Sequence, residues 1–131
     1  MKSCQLLIVE DELILAWDLK ARLTGLGYTV VGVVSTGADA VAAAAQHRPD
    51  LILMDIHLSG GMDGIAAALE IRKTHDISVI FLSAYADEET RQRAHSVKPV
   101  GFLSKLTEDE DLRRAIEAGR VLHPALSPSG S

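Results

Sequence analysis

Cysteine is nearly missing from this chain: Cys4 stands alone among 131 residues. One thiol makes no intramolecular disulfide and offers too few thiolates for a structural zinc site, which points to a cytoplasmic setting. Basic charge is scarce as well, since 13 Lys and Arg against 18 Asp and Glu leave a formal net charge of −5. No stripe of Lys and Arg stands ready to neutralise phosphates, so no nucleic-acid contact by this domain is expected. Long apolar runs are lacking too. The first one, Gln5 to Val9, meets Glu10, Asp11 and Glu12 at once, which is neither a signal peptide nor a membrane span. No glycine-rich phosphate loop supports nucleotide binding.

What is present is the balance of a soluble globular domain, 47% hydrophobic and 24% charged. The length suits one domain with its own core. We expect that domain over residues 1–123 and a Pro/Ser/Gly-rich tail or linker over 124–131.

Strand and helix signals alternate along the chain. Gln5 to Val9 reads as a strand, and Leu13, Ala16, Leu19, Leu23 and Leu26 follow at helical spacing, with Trp17 expected to pack on that helix. Gly25 and Gly27 end it where a left-handed cap is needed, and Thr29 to Val34 is a β-branched run interrupted by Gly32. An Ala-rich helix over Gly37 to Gln46 closes before Pro49, and Leu51 to Met54 is a fully apolar strand. Asp63 is a suitable N-cap for a helix through Arg72, anchored by Ile65, Ala66 and Leu69. Ser78 to Leu82 is a fourth strand. The stretch Asp87 to Val97 is helical but has only Ala94 and Val97 to grip a core, so it is expected to be mobile. Gly101 to Ser104 is a short fifth strand. A last helix from about Glu108 presents Leu112, Ala115, Ile116 and Gly119. Five strands alternating with five helices predict an α/β fold, a doubly wound parallel sheet covered on both faces.

In such sheets chemistry sits just beyond the carboxyl ends of the strands. There the sequence has Glu10 and Asp11 after the first strand, Asp55 after the third, Ser83 after the fourth and Lys105 after the fifth. Converging carboxylates need a compensating cation, and hard oxygen donors favour Mg²⁺. A carboxylate beside Mg²⁺ is able to attack a phosphoryl group and form an acyl phosphate, with Lys105 offsetting charge and Ser83 donating a hydrogen bond. Each residue alone also has an ordinary structural reading, as a cap, a turn residue or a solvated strand end. Their joint occurrence at successive strand ends is poorly explained that way.

The stretches Leu7-Ile-Val-Glu-Asp-Glu12, Pro49-Asp-Leu-Ile-Leu-Met-Asp55, Met62-Asp-Gly64, Val79-Ile-Phe-Leu-Ser-Ala84 and Gly101-Phe-Leu-Ser-Lys105 resemble the response-regulator receiver family of bacterial two-component systems. The resemblance covers about Gln5 to Leu122 and implies a flavodoxin-like fold with strand order 2-1-3-4-5. It further implies that Asp55 accepts phosphate from a phosphohistidine on a sensor histidine kinase or a phosphotransfer protein. Glu10 and Asp11 would organise Mg²⁺ together with Asp55 and the backbone carbonyl of His57, while Ser83 and Lys105 hold the phosphoryl group. Phe102 occupies the place of a switch aromatic coupled to Ser83, though without a hydroxyl it acts by packing or is simply core. His57 and Tyr85 take positions that influence how long the phosphate survives. Implied partners are an effector protein or effector domain, met through the fourth helix, fifth strand and fifth helix, and a second copy of the chain.

The sequence departs from the family pattern in two places. Leu106 stands where the family has a proline in a cis bond, so either the bond is trans or a costly non-proline cis bond persists. Ser59-Gly60-Gly61 replaces the usual proline turn and predicts a longer, looser loop beside Asp55. His47, His75, His95 and His123 lack ligand spacing and read as surface. Two other functions fit the residue types: a receiver-like binding or dimerisation module without phosphotransfer, and a haloacid-dehalogenase-type phosphatase. The latter places its nucleophile after the first strand in an Asp-x-Asp motif, whereas the residue two beyond Asp55 is His57.

Overall fold

The structure, a computed structural model, describes residues 4–84 and 87–122. Its elements are β1 (Gln5–Val9), α1 (Leu13–Gly25), β2 (Thr29–Val34), α2 (Gly37–His47), β3 (Leu51–Asp55), α3 (Gly64–Thr74), β4 (Ser78–Ser83), α4 (Glu88–Ser96), β5 (Gly101–Ser104) and α5 (Asp109–Leu122). All strand pairs are parallel and the order is β2-β1-β3-β4-β5. The order reverses between β1 and β3, so a crevice opens at their carboxyl ends. The flavodoxin-like fold inferred from the sequence is the observed one.

Strand alternation divides the core into two layers. Leu7, Val9, Ile52, Met54, Val79 and Phe81 face α2, α3 and α4, while Leu6, Ile8, Leu51, Leu53, Ile80 and Leu82 face α1 and α5. Central β3 and β4 are buried along their whole length, which is why both read as unbroken apolar runs. Each extends one residue further than its apolar run. Asp55 and Ser83 are therefore the last residues of their strands, anchored by the ladder itself. Edge strand β2 carries an irregularity: Leu6 pairs with Val30 and Leu7 with Gly32, so one residue is skipped.

Local chemistry sets the helix ends. Thr36, Asp63 and Asp87 each accept an N-terminal amide of α2, α3 and α4 through the side chain. Gly27, at φ +96°, supplies the left-handed residue after α1. At α2 the cap is Arg48 at φ 45°, with Pro49 following it.

Two packing expectations fail. The buried face of α3 is Ile65, Ala67, Ala68 and Ile71, whereas Ala66 is half-buried and Leu69 is exposed. Small residues win this face because α3 packs against the equally small Ala40, Ala43 and Ala44 of α2. Trp17 does not pack inward either, being 60% exposed, with Leu13 and Ile14 exposed one turn before it and Lys20 over its ring. The inner stripe of α1 is already filled by Ala16, Leu19 and Leu23. Among the described residues no peptide bond is cis, so the Lys105–Leu106 bond is trans.

Candidate functional site

At the carboxyl ends of β1, β3 and β5 the topology gathers the chemistry. Glu10 continues β1 and donates its amide to the Val34 carbonyl at 3.0 Å. Its side chain is buried, and so is that of Asp55. One carboxylate oxygen each from Glu10, Asp11 and Asp55 lie within 4.8 Å of one another. Glu10 and Asp55 are buried and Asp11 is exposed, which makes Asp11 the solvent-side member.

Lys105 is the positive charge in this nest. Its ammonium reaches Asp55 Oδ2 at 3.0 Å, Glu10 Oε1 at 3.1 Å and Glu12 Oε1 at 3.3 Å, and its side chain is only 11% exposed. The lysine backbone is fixed as well, since its amide donates to the Ser83 carbonyl at 3.0 Å. Glu12 is the member that sequence reading missed. Its signal was the third acid of the Glu-Asp-Glu run, which pattern alone does not turn toward a lysine on another strand.

Burial governs the ionisation of the nest. It pushes the Glu10 carboxyl up to about 7, with the charge of Asp55 adding to the effect and the Glu12 amide and Lys105 opposing it. Asp55 is raised by burial too, against the pull of Lys105 and the His57 amide. Burial disfavours the charge on Lys105, but hydrogen bonds to Asp55 and Glu10 outweigh this and raise it. The lysine therefore carries a full charge at neutral pH while the acids beside it are under-compensated.

That deficit bears on a metal. Glu10 Oε1 is buried and, although in ionic contact with Lys105, has no hydrogen bond of its own. A buried carboxylate oxygen without a hydrogen bond, in a set of hard oxygen donors, fits a small divalent cation such as Mg²⁺.

His57 is exposed, and its amide donates to Asp55 Oδ1 at 3.1 Å, which fixes the carboxylate rotamer. Ser83 is buried and pairs with Ser104 across β4 and β5. Phe102 pairs with Phe81, the rings meeting edge-on at 6.5 Å, and the Arg91 guanidinium of α4 lies 5.0 Å from its centroid. Tyr85 lies outside the described residues. The loop after Asp55 is tied at both ends: the Ser59 amide meets Asp11 Oδ2 at 3.3 Å, and the Met62 backbone closes on Gly37. Gly60 and Gly61 stay exposed between them.

Comparison with known proteins gives the family and the fold. The model of the response regulator receiver domain matches residues 6–117, and the chain belongs to that family. It is 44% identical over 86 residues to the phyllosphere-induced regulator PhyR of Methylorubrum extorquens, covering 65% of this chain and 32% of that protein. It is 35% identical over 113 residues to the transcriptional regulatory protein PdtaR of Mycobacterium tuberculosis, covering 86% of this chain and 55% of the relative. The chain thus spans from about a third to about half of these relatives' length. Among solved structures, the signal receiver domain of a modulated diguanylate cyclase from Desulfovibrio desulfuricans superposes with a TM-score of 0.86 at 39% identity, over 90% of this chain and 94% of that one. The N-terminal domain of a response regulator from Carboxydothermus hydrogenoformans gives 0.83 at 34% identity, over 94% and 99%. The domain is thus a receiver, a signalling module of two-component systems. Among the described residues no helix is long and apolar enough to cross a membrane.

Proposed function

We propose that this receiver accepts a phosphoryl group on Asp55 and uses it to switch a protein-interaction surface. The observation that carries the reading is the contact of Lys105 Nζ with the buried Asp55 Oδ2 at 3.0 Å, beside the clustered carboxylates of Glu10 and Asp11.

In the proposed step an Asp55 carboxylate oxygen attacks phosphorus on a phosphohistidine of a sensor kinase or phosphotransfer protein. An O–P bond forms, the N–P bond breaks, and the imidazole leaves with the electron pair. Asp55 is held for attack by the His57 amide on Oδ1 and by Lys105 on Oδ2. As charge spreads over the phosphoryl oxygens, Lys105 turns from Asp55 toward them and the Ser83 hydroxyl donates to one. Glu10, Asp11, Asp55 and the His57 carbonyl would hold Mg²⁺, which supplies charge neutralisation at the same oxygens. His57 and Tyr85, each two positions along the sequence from Asp55 and Ser83, tune the lifetime of the acyl phosphate.

Docking of the donor is supported by exposed apolar side chains around the site. Leu13, Ile14 and Trp17 share the outer face of α1, and Leu106 follows Lys105 with 89% of its surface exposed. The output face proposed here runs along α4, β5 and α5, where an open groove of about 770 Å³ is lined by Phe102, Leu106, Asp111, Arg114 and Ala118. Its occupant is an effector protein, an effector domain or a second copy of the chain. This role places the domain in the cytoplasm with its kinase.

Intact mass after incubation with Mg²⁺ and acetyl phosphate tests the reading. The native chain is expected to gain one phosphoryl group only with Mg²⁺ present, and Asp55→Asn to gain none. Uptake by the Asn variant would move the acceptor elsewhere, and no uptake by either chain would leave a binding module.

A further inference from the structure

The Lys105 amide is anchored to the Ser83 carbonyl at 3.0 Å, but the loop that begins with Lys105 has little of its own to fix it. The bond to Leu106 is trans, and Leu106 is 89% exposed, so the residue after the lysine adds neither ring rigidity nor burial. The constraint comes instead from across the fold. Arg22, in the last turn of α1, donates from Nε to Asp109 Oδ1 at 2.5 Å and from Nη2 to the Thr107 carbonyl at 2.7 Å. Asp18, one turn earlier, lies 3.6 Å from its Nη1, and the arginine side chain is only 20% exposed. Ser104 grips the same loop from the strand side, its Oγ accepting the Leu106 amide and its carbonyl the Thr107 amide, both at 3.0 Å. Thr107 is thereby held by both of its backbone groups. Arg22 and Lys105 line one narrow crevice with Glu10, Leu19 and Thr107.

We infer that Arg22 is a positioning residue for phosphoryl transfer: through Thr107 and Asp109 it fixes the β5–α5 loop so that the Lys105 ammonium stays between Asp55 and Glu10. A lysine is a point charge on a flexible stem, and its usefulness depends on where its backbone is held. The arginine fork is planar and pre-organised, so one side chain clamps a carbonyl and a carboxylate at once. It does so across 85 and 87 positions of sequence, which links α1 to the loop and to the first turn of α5. The inference rests on Asp55 as phosphoacceptor, but the geometry of the clamp is measurable without phosphate.

Two readouts separate the claims. In metal-free, donor-free protein, the Lys105 ammonium signal in proton–nitrogen NMR is expected to be sharp and protected in the native chain and lost in Arg22→Met. With Mg²⁺ and acetyl phosphate, the rate of phosphoryl uptake by Arg22→Met is expected to fall on the order of tenfold, the scale of a reacting group displaced by a fraction of an ångström. Mg²⁺ affinity by calorimetry should not fall, because Lys105 is not a ligand and its charge competes with the cation for Glu10 and Asp55. Arg22→Lys keeps the charge without the fork and should recover only part of the rate. Asp109→Asn, which leaves the Thr107 bond, should lie between native and Met, and these two variants decide the matter if Arg22→Met fails to fold. A native rate together with a native Lys105 signal in Arg22→Met overturns the inference. So does a loss of rate matched by equal losses of Mg²⁺ affinity and thermal stability, which marks a purely structural arginine. If the native chain takes up no phosphate, the Asp55 reading fails and the NMR signal alone decides the clamp.

Discussion

At the scale of single residues, two positions show how tightly the phosphorylation end is built. A Cβ on Gly64 would meet the Asp55 carbonyl oxygen at 2.0 Å, and the Gly64 amide donates to the Ile56 carbonyl at 2.8 Å. Gly64→Ala must therefore push the backbone that carries Asp55. It is expected to cost about 2 kcal/mol or more in urea unfolding, at the upper end of overpacking, and to slow phosphoryl uptake. A stability within error of native would contradict the close approach. Asp63, just before it, caps α3 through the Ala66 amide at 2.8 Å and pairs with Arg93 at 3.0 Å. Partial burial opposes its charge, but these partners prevail and hold its carboxyl below the usual range. A lowered carboxylate stabilises the fold fully above its unfolded value and loses that contribution as pH falls through the folded one. Asp63→Ala is expected to lose about 1 kcal/mol at pH 7, as for a lost N-cap. Asp63→Asn keeps the cap but not the charge, so its stability should decline less steeply than native below about pH 4. Parallel acid limbs of the two curves would refute the assignment.

At the scale of elements, α4 differs from its neighbours. Its buried side chain is Ala94, with Val97 at the cap, and it is held largely by arginines: Arg93 to Asp63, Arg91 over Phe102, and Arg72 of α3 to the carbonyls of Val97 and Lys98. Exposed polar contacts of this kind resist opening weakly. Native-state hydrogen exchange should therefore run faster in α4 than in α3, and Arg91→Ala should accelerate it further while leaving β3 protected. Equal protection of α3 and α4 would show that the arginines hold the helix as firmly as a core. The same scale explains which parts were legible in sequence. The strands β1, β2 and β5 were readable to the residue because apolar runs and glycines bound them. The orientation of α3 was not, because alanine and leucine both count as apolar, and which one turns inward depends on the small residues of α2 opposite. Trp17 was misread for a related reason: periodicity shows that an apolar stripe exists, not how wide a stripe the sheet can cover.

For the whole molecule, strand order converts distant residues into one site. Asp11, Asp55 and Lys105 were legible because the carboxyl ends of parallel strands are where such sheets place function, and the flanking motifs are specific. Glu12 and Arg22 were not, since their roles depend on contacts between α1 and the far end of the chain, which no local pattern encodes. The acids that meet there repel one another, and a divalent cation held by them would relieve this. Adding Mg²⁺ at neutral pH is expected to raise the thermal midpoint in a concentration-dependent way, and Asp11→Asn to abolish the rise. A midpoint indifferent to Mg²⁺ in the native chain would argue against the metal site.

The pairing of Lys105 with Glu10 and Asp55 also bears on the order in which the sheet can close during synthesis. The two acids precede their lysine by 95 and 50 residues, so both leave the ribosome well before their counter-ion exists. A nascent chain ending within α4 already has β1, β3 and β4 to assemble, yet sealing them together would bury two carboxylates with no cation beside them. Their hydration would keep that end of the young sheet wet until β5 arrives. The last strand thus brings both the final rung of the sheet and the charge that permits its closure.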